Sequence, residues 1–187
     1  MRRKAHSAAV EGVAIAACAC KIAVVMTRPI LSLLVASLAS PALAQNPCAQ
    51  LTPAAALAQV NAARERGALC GARGGMAPAA PLLWNAQLQA MAEVQAAWLA
   101  DHGALMHQGR NGETLRQRAA DAGYSYARVA ENVAQGQGSL AQALAGWTAS
   151  ESHCENLYDS AVSEMALACV PGAKGRPFWA LVLGRPL

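Results

Sequence analysis

Between Asn85 and Gly103 the apolar positions at 88, 91, 92, 95 to 96 and 99 keep a 3.6-residue period. That spacing predicts a helix with one buried face, capped by Asn85 and stopped by Gly103. A first helix is predicted where Thr52 can cap and Pro53 fills the first helical position, running through Leu57 and Val60 to about Arg66 and ending at Gly67. Residues 71 to 81, dense in Gly and Pro, read as a loop. A third helix is expected from about Glu113 to Ala122, with Gly123 as its stop. Ser139 then caps a fourth, with Leu140, Leu144 and Trp147 on one face.

After residue 160 the texture changes. Ala161–Val170 and Pro177–Gly184 are short apolar runs separated by Pro171-Gly172-Ala173-Lys174-Gly175, and the second is rich in aromatic and branched residues. Together they predict a terminal β-hairpin. Helices followed by a hairpin point to an α+β domain in which helices cover a small sheet.

Two polar groups stand out against this apolar frame. Glu131 and Asn132 lie inside the run Val129 to Ala134, just before Gly136 and Gly138. A carboxylate in such a run either faces water or is buried with a partner. Ser150, Glu151, Ser152 and His153 follow the fourth helix and lead into Cys154. The stretch from Arg128 to Leu157 therefore sets polar groups at both ends of one helix, where irregular backbone lets side chains converge.

The amino-terminal part changes the composition picture. Met26, Arg28, the mostly apolar run from Pro29 to Leu43 and the Ala-x-Ala ending at Ala44 form a secretory signal, with cleavage expected after Ala44. Residues 1–25 read as an extended basic start or as an upstream start codon, with Met26 the true initiator preferred. Residues 45–187 then form a single domain with no membrane span. Residues 1–44 hold five basic side chains and one acidic, which is the whole formal charge of +4, so the remainder balances ten basic against ten acidic groups. No polybasic patch is left to argue for nucleic acid.

Four cysteines remain after that cut, Cys48, Cys70, Cys154 and Cys169, an even number in an exported chain. They permit three pairings, and sequence does not choose among them. Nearest-neighbour pairing, Cys48 with Cys70 and Cys154 with Cys169, would close short loops worth about 3 kcal/mol each. A four-thiolate zinc site is the weaker alternative, since no C-x-x-C knuckle is present.

The same part of the chain has three histidines, His102, His107 and His153. The first two, five apart, would sit about 140° round a helix and share no face. No G-x-S-x-G elbow, Walker loop or H-E-x-x-H occurs. The four tryptophans are expected in the core. On residues alone, Glu131 is the most informative side chain, as a carboxylate that either pins the Gly-rich loop or works in a site.

Read in order, the motifs resemble a known family. Leu83-Trp84-Asn85, His107 before Gly109, Arg118 ahead of Gly123-Tyr124, Ala130-Glu131-Asn132-Val133-Ala134, Trp147-x-x-Ser150-x-x-His153-x-x-Asn156-Leu157 and the Phe178-Trp179 strand resemble the SCP/CAP superfamily. The likeness is to its bacterial branch of SCP-like extracellular proteins and spans about residues 51 to 186. It implies a three-layer α-β-α sandwich with a small, mainly antiparallel sheet and a cleft holding His107, His153 and Glu131. Ser150 and Asn132 are expected to line that cleft. Two departures are visible: Glu131 follows Ala130 in place of Gly, and Ser150 stands where a second acidic residue is often found. The segment Glu164 to Ala168 also lacks the family's usual glycines.

Two imidazoles can hold Zn²⁺ or another divalent ion, but they fall short of the three protein ligands usual in catalytic zinc sites. Glu131 would be a third ligand or a base towards bound water. The expected function is a secreted or periplasmic, monomeric, non-catalytic binding domain, with weak metal binding and an apolar small molecule or a protein surface as partner. The alternative is a metal-dependent, peptidase-like hydrolase using His107, Glu131 and His153.

Overall fold

The computed structural model describes residues 46–187, so the signal-region expectations lie outside the described residues. The elements run α1 (Pro53–Arg64), β1 (Ala68–Leu69), β2 (Gly75–Met76), β3 (Leu83–Trp84), α2 (Ala86–His102), α3 (Leu115–Asp121), β4 (Tyr126–Gln135), α4 (Leu140–Ala149), α5 (Glu151–Tyr158), β5 (Glu164–Pro171) and β6 (Pro177–Pro186).

Helix starts follow the local chemistry. Thr52 Oγ1 accepts from Ala55 N, Asn85 Oδ1 from Gln87 N and Leu88 N, and Ser139 Oγ from Gln142 N. Each satisfies amides that have no partner inside the helix. Thr114 and Gln117 cap α3 reciprocally. At the other end of α2, Gly103 takes φ +67, a left-handed conformation that costs glycine little.

The main sheet is ordered β3-β5-β6-β4. β6 lies antiparallel to both β5 and β4, while β3 adds a short parallel pair to β5. Alternation along β6 sends Trp179, Leu181 and Leu183 to one face and Phe178, Ala180 and Val182 to the other. The first face packs on α1, α4 and α5 through Val60, Leu144, Trp147 and Leu157. The second packs on α2 and α3 through Leu88, Met91, Leu99 and Ala119, with Ala166 and Ala168 of β5 beside Ala180 there. Helix, sheet and helix make the three layers. Because β6 is covered on both faces, it reads as a continuous apolar run.

The structure departs from the sequence reading at three points. Residues 126–135 form the edge strand β4, so Glu131 and Asn132 sit on regular structure and not in an irregular end. A further helix, α5, begins directly after Ser150, where only a polar cluster was expected. Cysteine pairing is long-range, Cys48 with Cys169 and Cys70 with Cys154, replacing the nearest-neighbour scheme. Folding carries the amino-terminal segment to β5 and the β1–β2 hairpin to α5, and sequence distance does not report that.

A buried arginine completes the frame. Arg64, at the last turn of α1, donates to Ala80 O, to Leu157 O at 2.7 Å and to Asp159 O at 3.0 Å. Burial pushes its pKa down, and the nearby Asp159 opposes this. The guanidinium thus supplies donors to carbonyls at the end of α5 that the helix cannot satisfy itself.

Candidate functional site

β4 is the edge strand, and its two polar residues point to opposite layers. Glu131 shares its face with Val129 and Val133, against α2 and α3, whereas Asn132 shares its face with Ala130 and Ala134, against α4 and α5. Consecutive positions therefore hold the two halves of one site, which wraps around the sheet edge.

On the α3 side, Glu131 is buried, its side chain 1% exposed. Its Oε2 accepts from Arg118 Nη2 at 2.5 Å and its Oε1 lies 2.9 Å from His107 Nδ1. A carboxylate paired with a guanidinium is an acceptor only, so His107 Nδ1 carries the hydrogen. His107 Nε2 is the ring nitrogen that Glu131 does not engage, and the side chain is 57% exposed. The bond to Glu131 raises the His107 pKa; partial burial and the Arg118 charge act against that rise.

On the α5 side, His153 sits three residues into the helix and its Nδ1 is 2.9 Å from Ser150 Oγ. Ser150 begins α5 without spending its hydroxyl on a backbone amide, which leaves that oxygen for the imidazole. Burial lowers the His153 pKa, and the neighbouring His107 adds to the effect. The two rings stand 6.4 Å apart between centroids, tilted by 42°.

Asn132, expected to line the cleft, is fully buried and acts from beneath. Its Nδ2 donates to His153 O at 2.8 Å, and its Oδ1 accepts from Asn156 Nδ2 at 3.0 Å. Trp147 Nε1 donates to Val133 O, so side chains of α4 and α5 occupy the edge strand in place of another strand. Cys154, next to His153, anchors α5 through its disulfide to Cys70.

The fold thus brings His107, Glu131, His153 and Ser150 together and leaves His102 outside, at the end of α2 with its Nδ1 against Trp98 O. Arg118 and Asn156 enter the sequence reading only as motif positions, with no part in the site assigned to them. A signal for Arg118 was there: it lies three residues after Leu115, on the inward face of α3, where a charge needs a partner, and Glu131 is a carboxylate in an apolar run. Among the described residues no group of three or more His, Cys, Asp and Glu side chains is placed to hold a metal ion. What the arrangement offers is two neighbouring imidazoles, 6.4 Å apart between centroids, each ring fixed through its Nδ1.

Away from the hollow, α1 and α4 flank a groove of about 790 Å³ lined by Ala62, Ala63, Leu69, Leu144 and Ala145 among others. Among the described residues no helix is long and apolar enough to cross a membrane.

The family model for the cysteine-rich secretory protein family, CAP, matches residues 57–183. Among solved structures the chain is similar to an SCP-domain extracellular protein of Bacillus anthracis, with 18% identity and TM-score 0.55, covering 71% of this chain and 41% of that one. It is also similar to an outer surface protein of Borrelia burgdorferi, with 21% identity and TM-score 0.53, covering 57% of this chain and 78% of that one. At such identities the likeness is one of fold, and the chain spans about two fifths of the Bacillus protein's length. Among curated proteins none matches.

Proposed function

Because the chain belongs to the cysteine-rich secretory protein (CAP) family, we propose that it works as an exported binding domain whose hollow holds a divalent metal ion weakly, and not as an enzyme. The observation that carries this reading is the engagement of Glu131. Both its oxygens are taken, one by Arg118 and one by His107. A third ligand, or a base towards bound water, would have to be drawn away from one of those partners.

The donor set suits Zn²⁺ or a similar ion, since neutral imidazole is a ligand for it and the bond from Nδ1 to a carboxylate is the usual way a protein orients a metal-binding histidine. His107 and His153 would hold the ion. A bound ion would supply a Lewis acid and a bridge to an oxygen or nitrogen of a partner. With two protein ligands the affinity is low and the remaining positions belong to solvent or partner. Glu131 and Ser150 act one step back, by orienting the rings. The hydrolase alternative needs Glu131 released, and nothing in the hydrogen-bond arrangement favours that.

Titration of the purified protein with Zn²⁺ tests the reading. The parent's thermal midpoint should rise with metal concentration by mass action, and His107→Ala and His153→Ala should each remove the rise. Equal shifts in all three proteins would overturn it. Peptide-panel hydrolysis that is abolished by Glu131→Gln would instead favour the enzyme.

A second reading, an apolar small-molecule ligand, is supported by the groove between α1 and α4, whose volume falls in the range of small-molecule pockets. Displacement of a fluorescent fatty acid, weakened by Ala145→Arg, would support it; no saturable binding would remove it. Export after Ala44 and a monomeric state complete the proposal. Mass spectrometry of the exported product should begin at Gln45 and sedimentation should give the monomer mass.

A further inference from the structure

Arg118 is the least expected member of the site: a guanidinium 2% exposed on the inner face of a seven-residue helix, spending its donors on two separate pieces of chain. Nη2 holds Glu131 Oε2 on the sheet at 2.5 Å, and Nη1 holds His107 O at 3.0 Å and Glu113 O at 3.3 Å on the loop between α2 and α3. That loop belongs to neither the sheet nor a long helix. It is also tied to α2 by Gln95 Nε2 on Met106 O and by Arg110 over the Trp98 ring, and closed on itself by Gly109 N on Glu113 O.

We propose that Arg118 is the positioning residue of the hollow, fixing at once the carboxylate that receives the His107 Nδ1 hydrogen and the main chain that carries the His107 ring. Two requirements point to this. A ring held at both its Nδ1 and its backbone keeps a fixed direction for Nε2, and the planar fork of arginine is shaped to reach a carboxylate and a carbonyl together. Glu131 by itself fixes the first point and makes no bond to the main chain of His107. Arg118 touches no atom of the hollow; it acts through Glu131 and through the backbone. The proposal rests on the reading of His107 as one of the two ligands, and it adds the residue that makes that ligand available.

The test uses the whole domain with ¹⁵N-labelled histidine. Long-range ¹⁵N–¹H spectra, recorded without metal at a pH where both rings are neutral, report which nitrogen of His107 carries the hydrogen. The parent should show Nδ1–H at His107. Arg118→Gln should move His107 towards an Nε2–H mixture and weaken Zn²⁺ binding about 10–100-fold, as loss of an outer partner of a ligand does. Arg118→Lys keeps the charge beside Glu131 but not the fork, so the tautomer should be retained while Zn²⁺ binding weakens by less. A folded Arg118→Gln protein with pure Nδ1–H at His107 and parental Zn²⁺ affinity would overturn the proposal. So would loss of folding in both variants, which would make Arg118 a residue of the fold alone. Because the tautomer is read without metal, a parent that binds no Zn²⁺ defeats the metal reading and leaves the tautomer comparison to decide on Arg118.

Discussion

Replacing Glu131 by glutamine changes one atom's chemistry and almost no volume, so its effect isolates the buried ion pair. In the parent, Arg118 and Glu131 are 2% and 1% exposed and 2.5 Å apart. Glutamine leaves the guanidinium charge in place with no counter-charge. Stranding one partner of a buried pair costs about 3–5 kcal/mol. The bond to His107 adds little, because that ring is more than half exposed. Against a whole-domain stability of about 5–15 kcal/mol the loss is large, corresponding to a midpoint lower by roughly 10–15 °C for a domain of this size. Urea unfolding followed by tryptophan fluorescence measures it directly. Pairing Glu131→Gln with Arg118→Met completes a double-mutant cycle, and the double variant should be at least about 2 kcal/mol more stable than the sum of the single losses implies. A Glu131→Gln protein within about 1 kcal/mol of the parent, at unchanged denaturant slope, would refute the reasoning and place the carboxylate in contact with water.

The histidines give opposing pH effects. The His107 pKa is raised in the folded state, so its stabilisation is complete below the ordinary histidine value and is lost as pH rises through the raised one; His107→Gln should flatten that decline in a midpoint scan. The His153 pKa is lowered, so it destabilises as pH falls below the ordinary value, and His153→Gln should soften the acid limb; curves parallel to the parent's would contradict both assignments. Gly184→Ala should cost about 1–3 kcal/mol, because a Cβ there would meet Tyr124 Oη at 2.5 Å; parental stability would show that the ring yields freely. Fragment mapping without reduction should recover Cys48 with Cys169 and Cys70 with Cys154. Those links span 121 and 84 residues, and removing either should cost about 4–5 kcal/mol in the chain-entropy model, whereas a Cys48–Cys70 fragment would overturn the pairing.

Much of the fold was legible where a local rule governs it. The caps at Thr52, Asn85 and Ser139 and the period through Leu88 to Leu99 marked helices that the structure contains. The apolar runs after residue 160 marked β5 and β6. The hidden parts depend on partners distant in the chain. β4 was not recognised as a strand because Glu131 and Asn132 interrupt its apolar pattern, and they are polar because each serves a different layer. α5 was hidden because its sequence, ESHCENLY, has few apolar residues. Its stability comes from the Cys70 disulfide, Arg64 at its end and Asn132 below it. The pair of histidines was found through the family likeness, since 46 residues of chain separate them and no spacing rule links them. Arg118 could have been inferred as the partner that a buried Glu131 demands.

The central claim is that His107 and His153 face one another across the edge of the sheet, each with Nε2 turned to a shared hollow. Adding Zn²⁺ to the ¹⁵N-histidine protein in steps up to saturation measures this directly. The account predicts that the Nε2 signals of His107 and His153 move together along one saturable curve, while His102 stays still. Movement of one of those two rings alone, or of His102 alongside them, would contradict it.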